Sequence, residues 1–241
     1  MSASTRRHVI SGLLFSLFAS PSAIFPQTAP LDEAAIIRGV DTAVKTRVDS
    51  ITSYTVTEHY VVYRGSDEKT PAAEMTVKTT YQQATGKSYQ ILSETGSSLI
   101  KKYVFDPLLE NEKRINLPEN RADSWFVSAN YQMKLQPGGP QKIEGRDCYV
   151  LAITPHQKAS NLIQGTIWVD TKDESIIQVQ GTATKSVSMF VDPSQVERHY
   201  VPIDGFAQAT HARAVSESHF IGRTVLTIDY SDYSIKLRNA N

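Results

Sequence analysis

Histidine is the first residue type to search for chemistry, since it serves as general base and as metal ligand near neutral pH. The chain carries His8, His59, His156, His199, His211 and His219. None stands in an HxH or HExxH spacing, which would turn two imidazoles toward one metal. Glu197 and His199 are two apart and share a strand face, but two groups do not complete a zinc site. Asp229 and Asp232 in "DYSDY" are three apart. On a strand that puts them on opposite faces, so they cannot work as a paired acid and base. The acidic stretch "DTKDE" (170–174) invites a calcium reading. It lacks the twelve-residue loop and the closing glutamate such a site needs, and reads as a hairpin turn. The single cysteine, Cys148, lies in the strand-like run "DCYVLAI" and reads as a small buried hydrophobe. No GxSxG, P-loop or GxGxxG occurs, and "QPGGP" has no helix after it to cradle a phosphate. The expectation is no catalytic residue, no metal ligand and no cofactor.

With no catalytic group in view, function must come from shape, and shape from the elements. The first residues have the three-part layout of a secretory signal peptide. Arg6 and Arg7 precede the apolar run "VISGLLFSLFA", and small residues follow up to Ala23. The run is shorter than the ~20 residues a bilayer needs. A signal peptide over 1–23 and a Pro-rich spacer over 24–30 are therefore expected, with one domain over 31–241. No cysteine follows the apolar run, so no lipid anchor is expected there. With one cysteine, no internal disulfide can form. Twenty-five basic residues balance twenty-five acidic ones, and nucleic-acid binding would leave a basic excess.

Residues 31–49 repeat apolar positions at helical spacing, with Asp32 and Glu33 in the first turn where the helix dipole favours them. Strand alternation then takes over in "SYTVTEHYVVY", "MTVKTTY" and "SYQIL". In the first of these, Tyr54, Val56, Tyr60 and Val62 share one parity and Glu58 interrupts it. Ser97–Ile115 returns to helical spacing. Pro107 cannot sit inside one regular helix, so two short helices or one kinked helix are expected. Its four basic residues, Lys101, Lys102, Lys113 and Arg114, are offset by Glu110 and Glu112, which suits a solvated face. Strands resume at Trp125–Leu135, Asp147–Thr154, Leu162–Asp170, Ser175–Thr184, Val196–Val201, Phe206–Glu217 and Thr224–Tyr233. Short links imply antiparallel neighbours, because a parallel pair needs a long crossover. The result is an α+β fold, mostly β, whose sheet must curl around itself or its helices to bury one face.

Four stretches in order, "CYVLAITP", "GTIWVDTKDESIIQVQG", "VERHYVPIDGF" and "LTIDYSDY", carry a family resemblance. Together they resemble the LolA-like superfamily of bacterial periplasmic lipoprotein-sorting proteins. The resemblance implies a half-open antiparallel β-barrel of about ten to eleven strands wrapped over helical lid segments. It also implies a periplasmic binding protein or carrier for lipoproteins or other lipid-like apolar ligands. A monomer is expected, with an acylated ligand and possible envelope membrane proteins as partners. An envelope-sensing or protein-interaction module on the same fold is the alternative. No ligand-contacting arginine of the family transfers to a position here. Candidate cavity residues follow from apolar strand parity instead. These are Tyr54 and Val56, Met75 and Val77, Tyr89 and Ile91, Ile167 and Val169, Ile177 and Val179, and Leu226 and Ile228.

Overall fold

In a computed structural model, the described residues are Met1, 31–186, 192–218 and 222–238. The expected signal peptide after Met1, the spacer, His8 and His219 lie outside them. Helix α1 (Glu33–Ser50) begins where Asp32 caps it, accepting the Ala35 N–H at 3.1 Å. Its inner face buries Ile36 and Val40, one turn apart. The chain passes straight into β1 (Ile51–Arg64), which pairs with β2 (Ala73–Gln82), and β2 with β3 (Gly86–Gly96).

One helical run then follows: α2 (Ser98–Ile100), a π-helical turn (Lys101–Phe105) and α3 (Asp106–Ile115). Pro107 explains the widened turn. It has no N–H to give the preceding turn, and its ring crowds the carbonyl four residues back. The Asp106 N–H reaches the Lys101 carbonyl, one residue further than in an α-helix. So the break expected at Pro107 is absorbed without splitting the run.

The remaining strands are β4 (Tyr131–Leu135), β5 (Gln141–Ile143), β6 (Arg146–Pro155), β7 (Ile163–Asp170), β8 (Ile176–Ala183), β9 (Gln195–Ile203), β10 (Phe206–Ser218) and β11 (Gly222–Leu237). All belong to one eleven-stranded sheet ordered β3-β2-β1-β11-β10-β9-β8-β7-β6-β4, with β5 beside β6. Every pairing is antiparallel. The last strand docks on the first, while β3 at one edge and β4 with β5 at the other have no further partner among the described residues, so the sheet is open. The strand expected over Trp125–Leu135 is shorter than its alternation suggests. After a 3-10 turn (Arg121–Ser124), bends at Trp125 and Val127 and a turn over 128–130 take up its first half. Asn130 fixes that turn by donating to the Ala122 and Trp125 carbonyls at 2.7 and 2.9 Å.

Two apolar cores sit under the sheet. In one, Ile36 and Val40 of α1 meet Tyr131, Leu151, Ile153, Ile167, Val169 and Val179 from β4, β6, β7 and β8. In the other, Ile100, Phe105 and Leu109 of the helical run cover Tyr60, Val62, Met75 and Val77 of β1 and β2.

Candidate functional site

A hollow of about 620 Å³ lies among α1, α3 and the inner faces of β1, β2, β3, β9, β10 and β11. Val44 and Val48 of α1, Val56 of β1, Trp125, Phe126 and Phe206 give it apolar walls. The Trp125–Phe126 segment is tied to α1 through Ser128, whose N–H and hydroxyl donate to the Asp41 carboxylate at 2.7 and 2.5 Å.

Polar groups line the same space. Alternation along β1 brings Glu58 inward between Val56 and Tyr60, and Glu58 is 3% exposed. The Tyr60 hydroxyl donates to it. Lys87 of β3 meets Glu112 of α3 at 2.9 Å, and the Asn116 amide donates to the same carboxylate at 3.4 Å. Burial is the largest influence on both groups and opposes both charges, but the surrounding charges and hydrogen bonds together outweigh it. The Lys87 ammonium is held well above its ordinary pKa and the Glu112 carboxyl below its own. Arg198 and Tyr200 of β9 face the hollow, as does Gln208 of β10, which is 1% exposed. Burial works against the Arg198 charge too, yet the neighbouring Tyr200, Glu112 and Tyr230 oxygens raise its pKa above the ordinary guanidinium value. Burial pushes the phenols of Tyr54, Tyr230 and Tyr233 upward, so these lining hydroxyls are neutral donors at physiological pH.

The residues chosen by strand parity distribute among several places. Tyr54 and Val56 line the hollow. Met75 and Val77 are packed beneath the helical run, and Leu226 and Ile228 lie partly buried against that core. Ile167, Val169 and Val179 are packed beneath α1. Ile177 is buried at a bulge: Trp168 pairs with Gln178 and Val169 with Ile176, so Ile177 has no partner on β7. Tyr89 and Ile91 border a smaller pocket between β3 and α3. Lys87, Glu112, Arg198 and Gln208 were not among the expected residues. Two inner-face charges left a trace in the sequence. Glu58 interrupts an apolar parity, and Arg198 stands two residues from Val196 and from Tyr200.

Of the histidines, the cysteine and the acidic pairs that could do chemistry, only the acidic turn reaches the hollow among the described residues, through Asp173 and Glu174. His199 bonds Glu197 and Glu144, each at 2.8 Å, and His211 bonds Asp229 at 2.7 Å, all away from the hollow. In the "DTKDE" turn, Asp170 pairs with Arg146 at 2.6 Å and Asp173 sits 3.7 Å from the same guanidinium, so arginine braces the acidic turn. Burial, with Asp170 adding to it, pushes the Cys148 thiol up to about 11, which leaves it protonated and unreactive. Among the described residues no cluster of three or more histidine, cysteine or acidic side chains could hold a metal.

No family model and no curated protein matches this sequence. Solved structures do. A LolA superfamily protein from Nitrosomonas europaea is 14% identical over 88% of this chain and 96% of its own, with a TM-score of 0.45. A DUF1329 family protein from Desulfovibrio piger is 17% identical over 83% and 93%, with a TM-score of 0.42. A Vibrio parahaemolyticus domain described as an outer membrane lipoprotein-sorting protein is 13% identical over 82% and 91%, with a TM-score of 0.45. The likeness is one of fold, and a loose one. What the hollow can hold follows from its own residues.

Proposed function

We propose that this chain is an exported periplasmic binding protein or carrier that holds an acylated or lipid-like amphiphile in the hollow beside α1. The hollow carries this reading. Its volume of about 620 Å³ falls within the roughly 300–1,000 Å³ of small-molecule sites. Valine and aromatic walls next to buried polar groups suit a ligand with an apolar chain and a polar head. Each methylene moved from water to such a wall gains about 0.8 kcal/mol. No reaction is required of the lining. Among the described residues no helix is long and apolar enough to cross a membrane. Native mass spectrometry of the protein purified from a periplasmic extract is expected to show bound lipid-sized adducts. Ligand-free spectra together with no uptake of a fluorescent fatty acid would overturn the reading.

A second reading, an interaction module, rests on a different surface. Ile91 and Leu92 of β3, with Leu99 and Tyr103 of the helical run, are 50–60% exposed beside an unpaired sheet edge. Exposed apolar groups at an open edge suit a protein partner. Cross-linking in the periplasm through a photoreactive residue at Leu92 is expected to capture an envelope protein on this reading, and lipid uptake without any captured protein would count against it.

A further inference from the structure

The charges around the hollow are not matched alike. Three of its four carboxylates have a partner: Glu112 is held by Lys87 and Asn116, Glu58 by Tyr60, and Asp173 lies near Arg146, while Glu174 has none among the described residues. Glu174 lays its stem on Gly39 of α1. Its guanidiniums meet only neutral oxygens. Arg47 donates to the Ala207 carbonyl and the Gln208 side-chain oxygen at 2.9 and 3.0 Å. Arg121 donates to the Tyr81 hydroxyl and the Gln83 carbonyl. Arg198 interacts with Tyr200 and feels the Glu112 charge from a distance, but among the described residues no carboxylate lies within ion-pair distance of it.

Two donors in this wall are buried and have no acceptor: Arg198 Nε and Gln208 Nε2. A buried donor without a partner costs free energy, and one beside a cavity points to what the cavity takes. The Gln208 amide cannot turn round to help itself. Its Oε1 accepts from Arg47, and a flip would set NH₂ against guanidinium. Arg198 cannot lose its charge. The two residues stand on neighbouring strands, with the Ala209–Tyr200 and His211–His199 rungs, and the bulge between those rungs, separating them.

We propose that the ligand of this hollow is an acidic amphiphile, its carboxylate or phosphate received by Arg198 and a further head-group oxygen by the Gln208 side-chain N–H. This rests on the amphiphile reading above and adds the chemistry of the head. Charge-assisted hydrogen bonds from a fixed guanidinium discriminate strongly between an oxyanion and a neutral hydroxyl. The apolar wall of Val44, Val48, Trp125 and Phe126 then takes the chain.

Titrations of the delipidated chain with four single-chain probes, read by tryptophan fluorescence through Trp125, test this. Oleate and 1-oleoyl lysophosphatidate carry the two acids; oleyl alcohol and monoolein are their neutral counterparts. At least one acid is expected to bind about tenfold or more tightly than its counterpart, and which one does so separates carboxylate from phosphate as the source. Arg198→Gln and the isosteric Gln208→Glu are each expected to remove most of that preference while neutral probes still bind within about twofold. Gln208→Glu carries the test alone if Arg198→Gln does not fold. Equal binding of acid and neutral probes would overturn the acidic head and leave the amphiphile reading standing. A preference that survives both variants would overturn the assignment to these residues. Uptake of neither class would overturn both proposals.

Discussion

Lys87 and Glu112 are 14% and 21% exposed as side chains, so each charge depends on the other for most of its solvation. Glu112→Gln leaves Lys87 facing the hollow without its partner, and about 2 kcal/mol of stability is expected to go with it at neutral pH. The pH dependence has a definite sign. Burial pushes the Glu112 carboxyl up, but Lys87, Arg198 and the Asn116 hydrogen bond together hold it below its ordinary value of 4.5. The folded state therefore gains stability above that value and loses it as pH falls through the lowered one. Urea unfolding curves of the wild type and Glu112→Gln should differ most at neutral pH and converge in acid. His199 runs the other way. Burial opposes its charge, but the hydrogen bonds to Glu197 and Glu144 raise its pKa above 6.5. Its contribution is full below that value and fades as pH rises through the raised one. His199→Asn should cost stability below pH 6.5 and little in mildly alkaline solution, read by the same unfolding series. Neither partner set was legible in advance. Glu197 and His199 could be placed on one face by counting, but Glu144 arrives from another hairpin. Lys87 and Glu112 are far apart in a sequence that gives no reason to join them.

At the scale of elements, period-two alternation marked the strands from β6 onward, and Pro107 marked the break that became a π-turn. The shortened β4, the small β5 and the β7–β8 bulge left no such mark, because turns and bulges depend on hydrogen bonds to distant backbone. The bulge is why both Ile176 and Ile177 are buried despite opposite parity. One pairing can be tested directly. Gly165 of β7 sits opposite Gly181 of β8. A Cβ at Gly165 would stand 2.1 Å from the Gln180 carbonyl oxygen and 2.5 Å from the Gly181 Cα, both backbone atoms that cannot swing away. Gly165→Ala is expected to cost about 1–3 kcal/mol, the range of an overpacked core. A lowered urea midpoint with an unchanged slope would show the cost as stability alone.

For the molecule as a whole, the order of the sheet matters more than any one strand. Because β11 docks on β1, Glu58 and Tyr230 become neighbours, and β10 and β9 carry Gln208 and Arg198 toward the same hollow. That neighbourhood explains why parity found Tyr54 and Val56 at the hollow but not its charges. Parity gives a face, while topology decides whether the face meets a helix or open space. The hollow includes lining from α1, so it can be filled from that side without touching either core. Ala43 is the residue to enlarge, since it lines the hollow and belongs to neither core. Ala43→Phe is expected to fold with near wild-type stability and to lose ligand. The wild type, saturated at a hundredfold excess over Kd, should gain about 2.7 kcal/mol against unfolding, because ligand binds only the folded state. The variant should gain nothing under the same conditions. Thermal unfolding of both proteins with and without oleate measures the difference. A full ligand-induced shift in Ala43→Phe would place the ligand outside this hollow, whatever the chemistry of its walls.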